Sequence, residues 1–355
     1  MKKTLSIFLL SVLLFLLAAC GNDGSGGTEE ADGMGGTEAE GSGESEEDSL
    51  DLDVEQAAGE APQDFSFGSA TVGGLWYTLS GAMGEGISEL YPNSSVTVVE
   101  GGSISNLIGL GEGLYPIGFS NGQTVPEALE GIRDFEEPVE NVSTLATLYP
   151  NVMHIIVPES SDIESVLDLA GKRVSPGIKG YSGELAFIDI LEAVGMDYDD
   201  LEHIEYTGTA EAGDLMRDGH IDAFVGMLAA PVPTVQELDT TLGVRLIPLE
   251  EDVVEGLNEL NPGYLEHTIE GGTYSGIEED VLTTAGYTVL LANNELIDED
   301  VGYELTKMIV ENAGQWSQLS STLDVFDAEY SVENNVGPLH PGAERYYEEI
   351  GALQE

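Results

Sequence analysis

Apolar residues recur along the chain in two patterns, short runs of five to seven residues and longer stretches with spacings of three and four. The short runs predict strands, among them FSFGS, VTVVE, YPIGFS, VMHIIVP, IDAFVGM and GYTVLLA. The longer stretches predict helices, the first of which carries Leu75, Leu79, Met83, Ile87 and Leu90 on one face. Because strands and helices alternate from Phe65 onward, the pattern predicts an α/β fold with mostly parallel sheets.

The first twenty residues have the pattern of an export signal. Lys2 and Lys3 precede an apolar run from Leu5 to Leu17, which is too short for an ordinary membrane-spanning helix. The following Leu-Ala-Ala-Cys resembles a bacterial lipobox, in which the cysteine is lipid-modified and becomes the first mature residue. We therefore expect a signal peptide at 1–19 and a lipid anchor at Cys20 on the outer face of the cytoplasmic membrane. The alternative is a plain signal peptide with a chance cysteine.

Residues 20–64 predict a lipidated, acidic, Gly-rich linker. Between Gly21 and Asp64 there are fifteen acids and no base. Low hydrophobicity with charge of one sign cannot support a core, so the pattern predicts a disordered tether.

The charge of the whole chain excludes some partners. There are 67 acids against 10 bases, a formal net charge of −57. Nucleic acid and anionic membrane surfaces require Lys and Arg, so neither is expected as a partner. The composition favours a halophilic acidic surface, with a merely acidic exported protein as the alternative. The single cysteine excludes an intramolecular disulfide.

Three connections between a strand and the following helix are rich in glycine and hydroxyl groups: Gly68–Gly74, Gly101–Asn106 and Gly177–Gly183. In open parallel sheets this edge binds ligands. Glycine lets backbone N–H groups approach a ligand, and a helix N-terminus carries partial positive charge, so such connections can hold an anion without Lys or Arg. The same residues also occur in plain tight turns and as N-caps.

Several known catalytic and metal-binding motifs are missing from the sequence. It contains no P-loop, no G-x-G-x-x-G and no H-E-x-x-H. The five histidines are scattered, and neither a metal nor a cofactor is expected. Two alternatives to a binding protein stay open: an exported serine hydrolase, for which Ser182 with His340 is the one pairing to nominate, and a surface lipoprotein without a transport role.

Several segments resemble the TAXI family of solute-binding proteins, which serve tripartite ATP-independent periplasmic (TRAP) transporters. GSATVGGLWYTLSGA is similar to the first motif of that family. The others follow in the family's order: GGSISNLIGLGEG, YPIGFSNGQT, LYPNVMHIIV, DLAGKRVSPG, DGHIDAFVG and NVGPLHPGAERYYEEIG. Pro116 and Ile117 depart from the usual Asp-Leu, and GYSGE departs from a G-S-G-T-like loop. The similarity runs from Phe65 to Gly351.

The resemblance implies a two-lobed clamshell of the type II periplasmic-binding-protein class. Lobe I would comprise 65–152 and 290–355, and lobe II 156–286. The protein would bind a small carboxylate, such as glutamate, a 2-oxoacid or a dicarboxylate, between the lobes. It would deliver this solute to a carrier driven by an ion gradient, with small and large membrane subunits that are often fused, and it would catalyse no reaction.

The resemblance also implies ligand contacts, taken position by position. The first lobe would supply Ser69, Thr71, Gly74, Trp76, Tyr77, Gly102, Ser103, Asn106 and Gln123. The second lobe would supply Lys179, Gly180, Tyr181 and Ser182. Trp76 either forms a wall of the cleft or packs in the core. Lys179 either pairs with a carboxylate or is an ordinary surface lysine. In GYSGE, either Tyr181 replaces the family's serine or one residue is inserted.

Overall fold

The computed structural model describes residues 50–70, 72 and 74–354. The predicted signal peptide, Cys20, most of the linker and Thr71 lie outside the described residues. The strands are β1 Asp64–Gly68, β2 Ser95–Val99, β3 Ile117–Asn121, β4 Val142–Pro158, β5 Arg173–Ser175, β6 His203–Ile204, β7 Ala223–Leu228, β8 Val244–Leu246, β9 Leu265–Ile269 and β10 Val281–Asn293. The helices are α1 Leu75–Leu90, α2 Ser103–Gly111, α3 Thr124–Glu130, α4 Ser182–Ala193, α5 Thr209–Arg217, α6 Pro233–Thr241, α7 Glu251–Leu260, α8 Glu299–Glu311, α9 Ala313–Trp316, α10 Ala328–Glu333 and α11 Pro341–Glu349.

The strands form one continuous sheet in the order β2-β1-β3-β10-β4-β7-β5-β6, with β8 beside β4 and β9 beside β10. The predicted α/β class is confirmed. The sheet is mixed, however, rather than mostly parallel. The pairs β1–β2, β1–β3, β5–β6 and β5–β7 are parallel, whereas every described pair that involves β4 or β10 is antiparallel. Both of these strands run against their neighbours because they pass from one half of the molecule into the other.

Two lobes result because β4 and β10 are long enough to belong to both. The first half of β4 and the second half of β10 pack with β1–β3 around a core that contains Phe65, Phe119 and Trp316. The other halves pack in a second region whose cores contain Phe187 and Phe224. We call these the first and second lobes. β4 is ten residues longer at its start than the run VMHIIVP predicted, because a proline and an asparagine interrupt the apolar pattern at 150–151.

The prediction of disorder is wrong for the last part of the linker. Residues 50–63, here called the strap, lie extended on the first lobe, where the Asp53 N–H donates to Asn312 Oδ1 at 2.7 Å. Leu50, Leu52 and Val54 alternate with acids, so that one side of the strap packs on the core of this lobe while the acids face solvent. Among the described residues, none of the helices has the length and hydrophobicity needed to cross a membrane.

Candidate functional site

A cavity of about 310 Å³ lies between the two lobes and opens at the carboxyl ends of β1, β3 and β7. Its volume is at the lower end of the range for small-molecule sites. The lining residues are Ala70, Gly74, Leu75, Trp76, Gly101, Gly102, Ser103, Asn121, Tyr149, Asn151, Pro176, Gly177, Ile178, Tyr181, Ser182, Gly183, Glu184, Thr207, Gly208, Thr209, Phe224, Val225, Gly226, Met227, Leu228 and Ala229.

Four helices begin at this cavity, α1 and α2 from the first lobe and α4 and α5 from the second. Their N-cap residues are Gly74, Gly102, Tyr181 and Gly208, and none of these caps the helix with a side-chain hydrogen bond. On α8, by contrast, the Asp298 carboxylate accepts the Val301 N–H. The first N–H groups of a helix have no partner within the helix, so the four cavity helices can offer theirs to a ligand. Each helix start also adds roughly half a positive charge.

Hydrogen bonds join the two lobes at the edge of the cavity. Ser103, the first residue of α2, donates through Oγ to Ser182 Oγ of α4 at 3.2 Å. The Asn121 side-chain amide lies at hydrogen-bond distance from both hydroxyls, 3.0 Å from Ser103 Oγ and 2.5 Å from Ser182 Oγ. The Tyr181 ring covers Gly102, where an added Cβ would lie 3.3 Å from the ring. The lobes are therefore closed on each other at this point.

A polar chain continues from Asn121 into the two crossing strands. Asn151 of β4 donates to Asn121 Oδ1 and to Thr288 Oγ1 of β10, both at 2.7 Å. Thr288 Oγ1 also accepts the Trp76 indole N–H at 3.0 Å. Tyr149 lines the cavity beside this chain, and burial raises the pKa of its phenol, which keeps the group neutral. The cavity floor is thus polar but carries no formal charge.

Six of the thirteen predicted ligand residues line the cavity: Gly74, Trp76, Gly102, Ser103, Tyr181 and Ser182. Thr71 lies outside the described residues. The other six are placed elsewhere: Ser69, Tyr77, Asn106, Gln123, Lys179 and Gly180. Trp76 fulfils both roles considered for it, since one side lines the cavity while the ring packs 5.7 Å from Phe119.

Ser69 and Asn106 hold the strand ends that surround the cavity. The Asn106 side-chain amide donates to the carbonyls of Ser69 and Phe119, at 2.7 and 2.9 Å, and so ties β1 to β3. Ser69 is fully buried, and its hydroxyl shares a hydrogen bond with Ser80 at 2.8 Å. Tyr77 is half-buried on α1, outside the cavity lining. A polar residue in a glycine-rich connection can therefore serve the backbone there, and sequence spacing does not distinguish this use from ligand contact.

The remaining three predicted contacts point to other neighbours. Lys179 is exposed, with Nζ 5.5 Å from the centre of the Tyr206 ring, in the range of a cation–π contact. The Gly180 N–H donates to Glu184 Oε2 at 3.2 Å. The Gln123 side-chain amide faces Met227 Sδ at 3.1 Å, beneath the cavity wall. The described cavity lining therefore contains no lysine that could pair with the carboxylate of a ligand.

Sequence reasoning missed several lining residues. Asn121 ends the third strand, two residues before the predicted Gln123, and its position at a strand end was the available signal. Gly208 and Thr209 form a fourth connection of the predicted kind, but β6 before them has only two residues and gave no strand pattern. Asn151 interrupts a crossing strand, and a polar residue in a buried run was the signal there.

A charged cluster connects the lobes about 10 Å along α4 from Ser182. Arg133 of the first lobe binds Asp189 of α4 and lies 3.4 Å from Glu127. Asp189 also accepts the Tyr264 hydroxyl at 2.6 Å, and Asn261 donates to Glu127 at 3.2 Å. Burial, reinforced by the Asp189 charge, raises the pKa of Glu127 to about 7 against the opposing effect of Arg133. This cluster fastens the closed arrangement beside the cavity.

The serine hydrolase pairing is not formed. The Ser182 hydroxyl contacts Asn121 and Ser103, whereas His340 caps α11, with Nδ1 accepting the Gly342 N–H and Nε2 facing the Ile297 carbonyl. Both ring nitrogens of His340 are thus engaged within the first lobe. Across residues 50–354, as far as they are described, no group of three or more His, Cys, Asp or Glu is placed to hold a metal ion.

The strand order and the cleft define a two-lobed α/β clamshell of the periplasmic-binding-protein class, as predicted. The sequence profile of the NMT1-like family matches residues 67–351, and the chain belongs to this family.

Among solved structures, the fold is similar to several binding proteins at low identity. The alkanesulfonate-binding protein SsuA of Xanthomonas axonopodis, bound to MOPS, is 16% identical, with 83% of this chain and 82% of that chain covered and a TM-score of 0.43. The aliphatic sulphonate binding protein SsuA of Escherichia coli is 16% identical, with 81% and 85% covered and a TM-score of 0.46. A probable amino-acid ABC transporter binding protein of Bacillus subtilis is 15% identical, with 74% and 97% covered and a TM-score of 0.44.

Proposed function

We propose that the protein is a solute receptor that binds a small carboxylate between its lobes. The observation that carries the proposal is the convergence of four helix N-termini on one interlobe cavity, each without a side-chain N-cap. Backbone N–H groups at helix starts bind anions through hydrogen bonds and the helix dipole. Many small metabolites carry a carboxylate, and a bound carboxylate would accept hydrogen bonds from the helix N–H groups that no side chain caps. We call the four helix starts together the anion seat.

Closure of the lobes couples to binding in this proposal. The seat uses helices from both lobes, so a bound carboxylate contacts both only when the Ser103–Ser182 hydrogen bond can form. A ligand that contacts both lobes favours the closed form by its differential affinity for that form. The receptor therefore presents a closed, loaded surface to its membrane partner.

The membrane partner in this proposal is a TRAP-type carrier, with small and large subunits that can be fused. The resemblance to the TAXI family from Phe65 to Gly351 supports this choice. The lipobox-like Leu-Ala-Ala-Cys supports an anchor at Cys20, which would keep the receptor on the outer face of the membrane near the carrier. The acidic composition supports a role in concentrated salt. The receptor itself would hydrolyse nothing.

Isothermal titration calorimetry with a panel of organic acids, amino acids and sugars tests the proposal. We expect at least one carboxylate to bind, its uncharged amide to bind at least tenfold more weakly, and the radius of gyration in small-angle scattering to fall on binding. Turnover of generic esters would favour the hydrolase alternative, and no binding by any compound would favour the surface lipoprotein.

Salt gives a second test of the same proposal. The net charge of −57 repels an anion at low ionic strength, and the Debye length falls to roughly 3 Å at 1 M salt. Affinity for the carboxylate should therefore rise from low to molar salt. A steady fall over that range, with the fold intact, would contradict the proposed screening of repulsion.

A further inference from the structure

Charge is distributed very unevenly over the lining of the cavity. Among the described lining residues, Glu184 carries the only formally charged side chain, and there is no lysine, arginine or histidine. Glu184 is 4% exposed and lies in the first turn of α4. Its Oε1 accepts the Tyr198 hydroxyl at 3.0 Å, and its Oε2 accepts the Gly180 N–H. These two hydrogen bonds hold the carboxyl group in place.

The rest of the lining is largely apolar. Leu75 and Trp76 from the first lobe, and Ile178, Phe224, Met227 and Leu228 from the second, provide hydrocarbon and aromatic surface. A ligand with a second charged group would have to place that group either against this apolar surface or near Glu184, in both cases removed from water. Burying a charge without an opposite charge is costly, and a carboxylate near another carboxylate is further disfavoured.

We infer that the solute carries a single carboxylate on an otherwise uncharged, apolar body, and that Glu184 excludes dicarboxylates from the cleft. This inference rests on the proposed carboxylate-binding function of the same cavity and narrows its substrate class. The four helix starts neutralise one carboxylate, the apolar wall receives the body, and Glu184 makes a second carboxylate unfavourable. The residue therefore determines specificity through repulsion, rather than through a contact with the preferred ligand.

Matched pairs of probes that differ only in the second carboxylate test the inference. Titration calorimetry would compare 2-oxohexanoate with 2-oxoadipate, and 2-oxopentanoate with 2-oxoglutarate, at one salt concentration. We expect the monocarboxylate of the better-binding pair to bind at least tenfold more tightly than its partner. Equal or tighter binding of the dicarboxylate would overturn the inference while leaving the proposed function intact. Failure of all four acids to bind would count against the proposed function itself.

The role of Glu184 is tested by Glu184→Gln, with Glu192→Gln as the matched control. Glu192 lies on the same helix but is exposed, so its substitution removes the same charge without changing the cavity. Glu184→Gln should raise the affinity for the dicarboxylate relative to the monocarboxylate at least fivefold, and Glu192→Gln should leave that ratio within twofold. An unchanged ratio in a folded Glu184→Gln protein would overturn the assignment to this residue. The wild-type comparison decides the ligand class even if the variant fails to fold.

Discussion

Glu127 should make the free energy of unfolding depend on pH, and the substitution Glu127→Gln should remove this dependence. Burial in the interlobe cluster, with Asp189 and Asp134 adding to it, raises the pKa of this carboxyl group from 4.5 to about 7, although Arg133 and Asn261 act in the opposite direction. A shift of this size corresponds to about 3 kcal/mol, at about 1.4 kcal/mol for each pH unit. Because Glu127 is only 4% exposed, solvent screens little of this energy.

The sign follows from which state binds the proton. Between pH 4.5 and 7 the folded protein keeps the Glu127 proton, whereas the unfolded chain has lost it. The contribution of Glu127 to the free energy of unfolding is therefore fully present below about pH 4.5 and is lost as the pH rises through 7. Glu127→Gln resembles the protonated form and does not titrate. Near pH 8 we expect the free energy of unfolding of this variant to exceed that of the wild type by up to about 3 kcal/mol. Near pH 4.5 the two proteins should have similar free energies of unfolding.

Urea unfolding at constant salt, measured from about pH 4.5 to 8, gives the required comparison. Glu130→Gln is the matched control, because Glu130 lies on the same helix, α3, but is exposed. The difference between Glu127→Gln and Glu130→Gln cancels the large pH response of the other acids. If the two variants gave parallel curves over this range, Glu127 would not be held protonated by its surroundings, and the reasoning would fail.

Three further predictions follow from packing and from the polar chain. In thermal unfolding, Gly342→Ala should lower the free energy of unfolding by about 1–3 kcal/mol, because the added Cβ would lie 2.2 Å from backbone atoms of α8. In the same experiment, Gly256→Ala should raise it by up to about 1 kcal/mol, because Gly256 lies in α7 and an added Cβ would meet no atom within 4 Å. Leu52→Asp should cost about 1–2 kcal/mol in urea unfolding by detaching the strap, while Asp51→Asn, on the solvent side, should change little. Asn121→Leu should weaken carboxylate binding about fivefold in calorimetry and leave the scattering radius larger, since its interlobe hydrogen bond to Ser182, which contributes about 1 kcal/mol, is lost.

The sequence predicted best what depends on local pattern. Strand-like and helix-like apolar patterns alternate along the chain, and this alternation predicted the α/β class. The glycine-rich connections predicted the starts of α1, α2 and α4 at the cavity. These features are encoded within about fifteen residues, where periodicity and backbone freedom act directly. The strap was within reach by the same means, because Leu50, Leu52 and Val54 alternate strictly with acids. The high acidity of the segment outweighed this pattern.

What the sequence could not predict depends on contacts between distant residues. Asn121 joins Ser182 across 61 positions, and Asn151 joins Thr288 across 137. Whether a polar side chain faces a ligand, a backbone carbonyl or another lobe is decided by such pairings, as Asn106 demonstrates. The sheet was expected to be mostly parallel for a similar reason, since the antiparallel pairs all involve strands that cross between lobes.

The absence of a basic side chain from the described cavity lining has a physical reason in so acidic a chain. The basic residues Arg133, Lys172, Arg173, Arg217 and Arg345 each form an ion pair with an acid. With 67 acids in the chain, a flexible arginine at the cleft would have neighbouring carboxylates as competing partners, and a ligand would have to displace them. The N–H groups at a helix start are fixed by the backbone and cannot move towards a nearby acid. Helix N-termini with glycine at the cap therefore remain available to a solute where a basic side chain would already be neutralised.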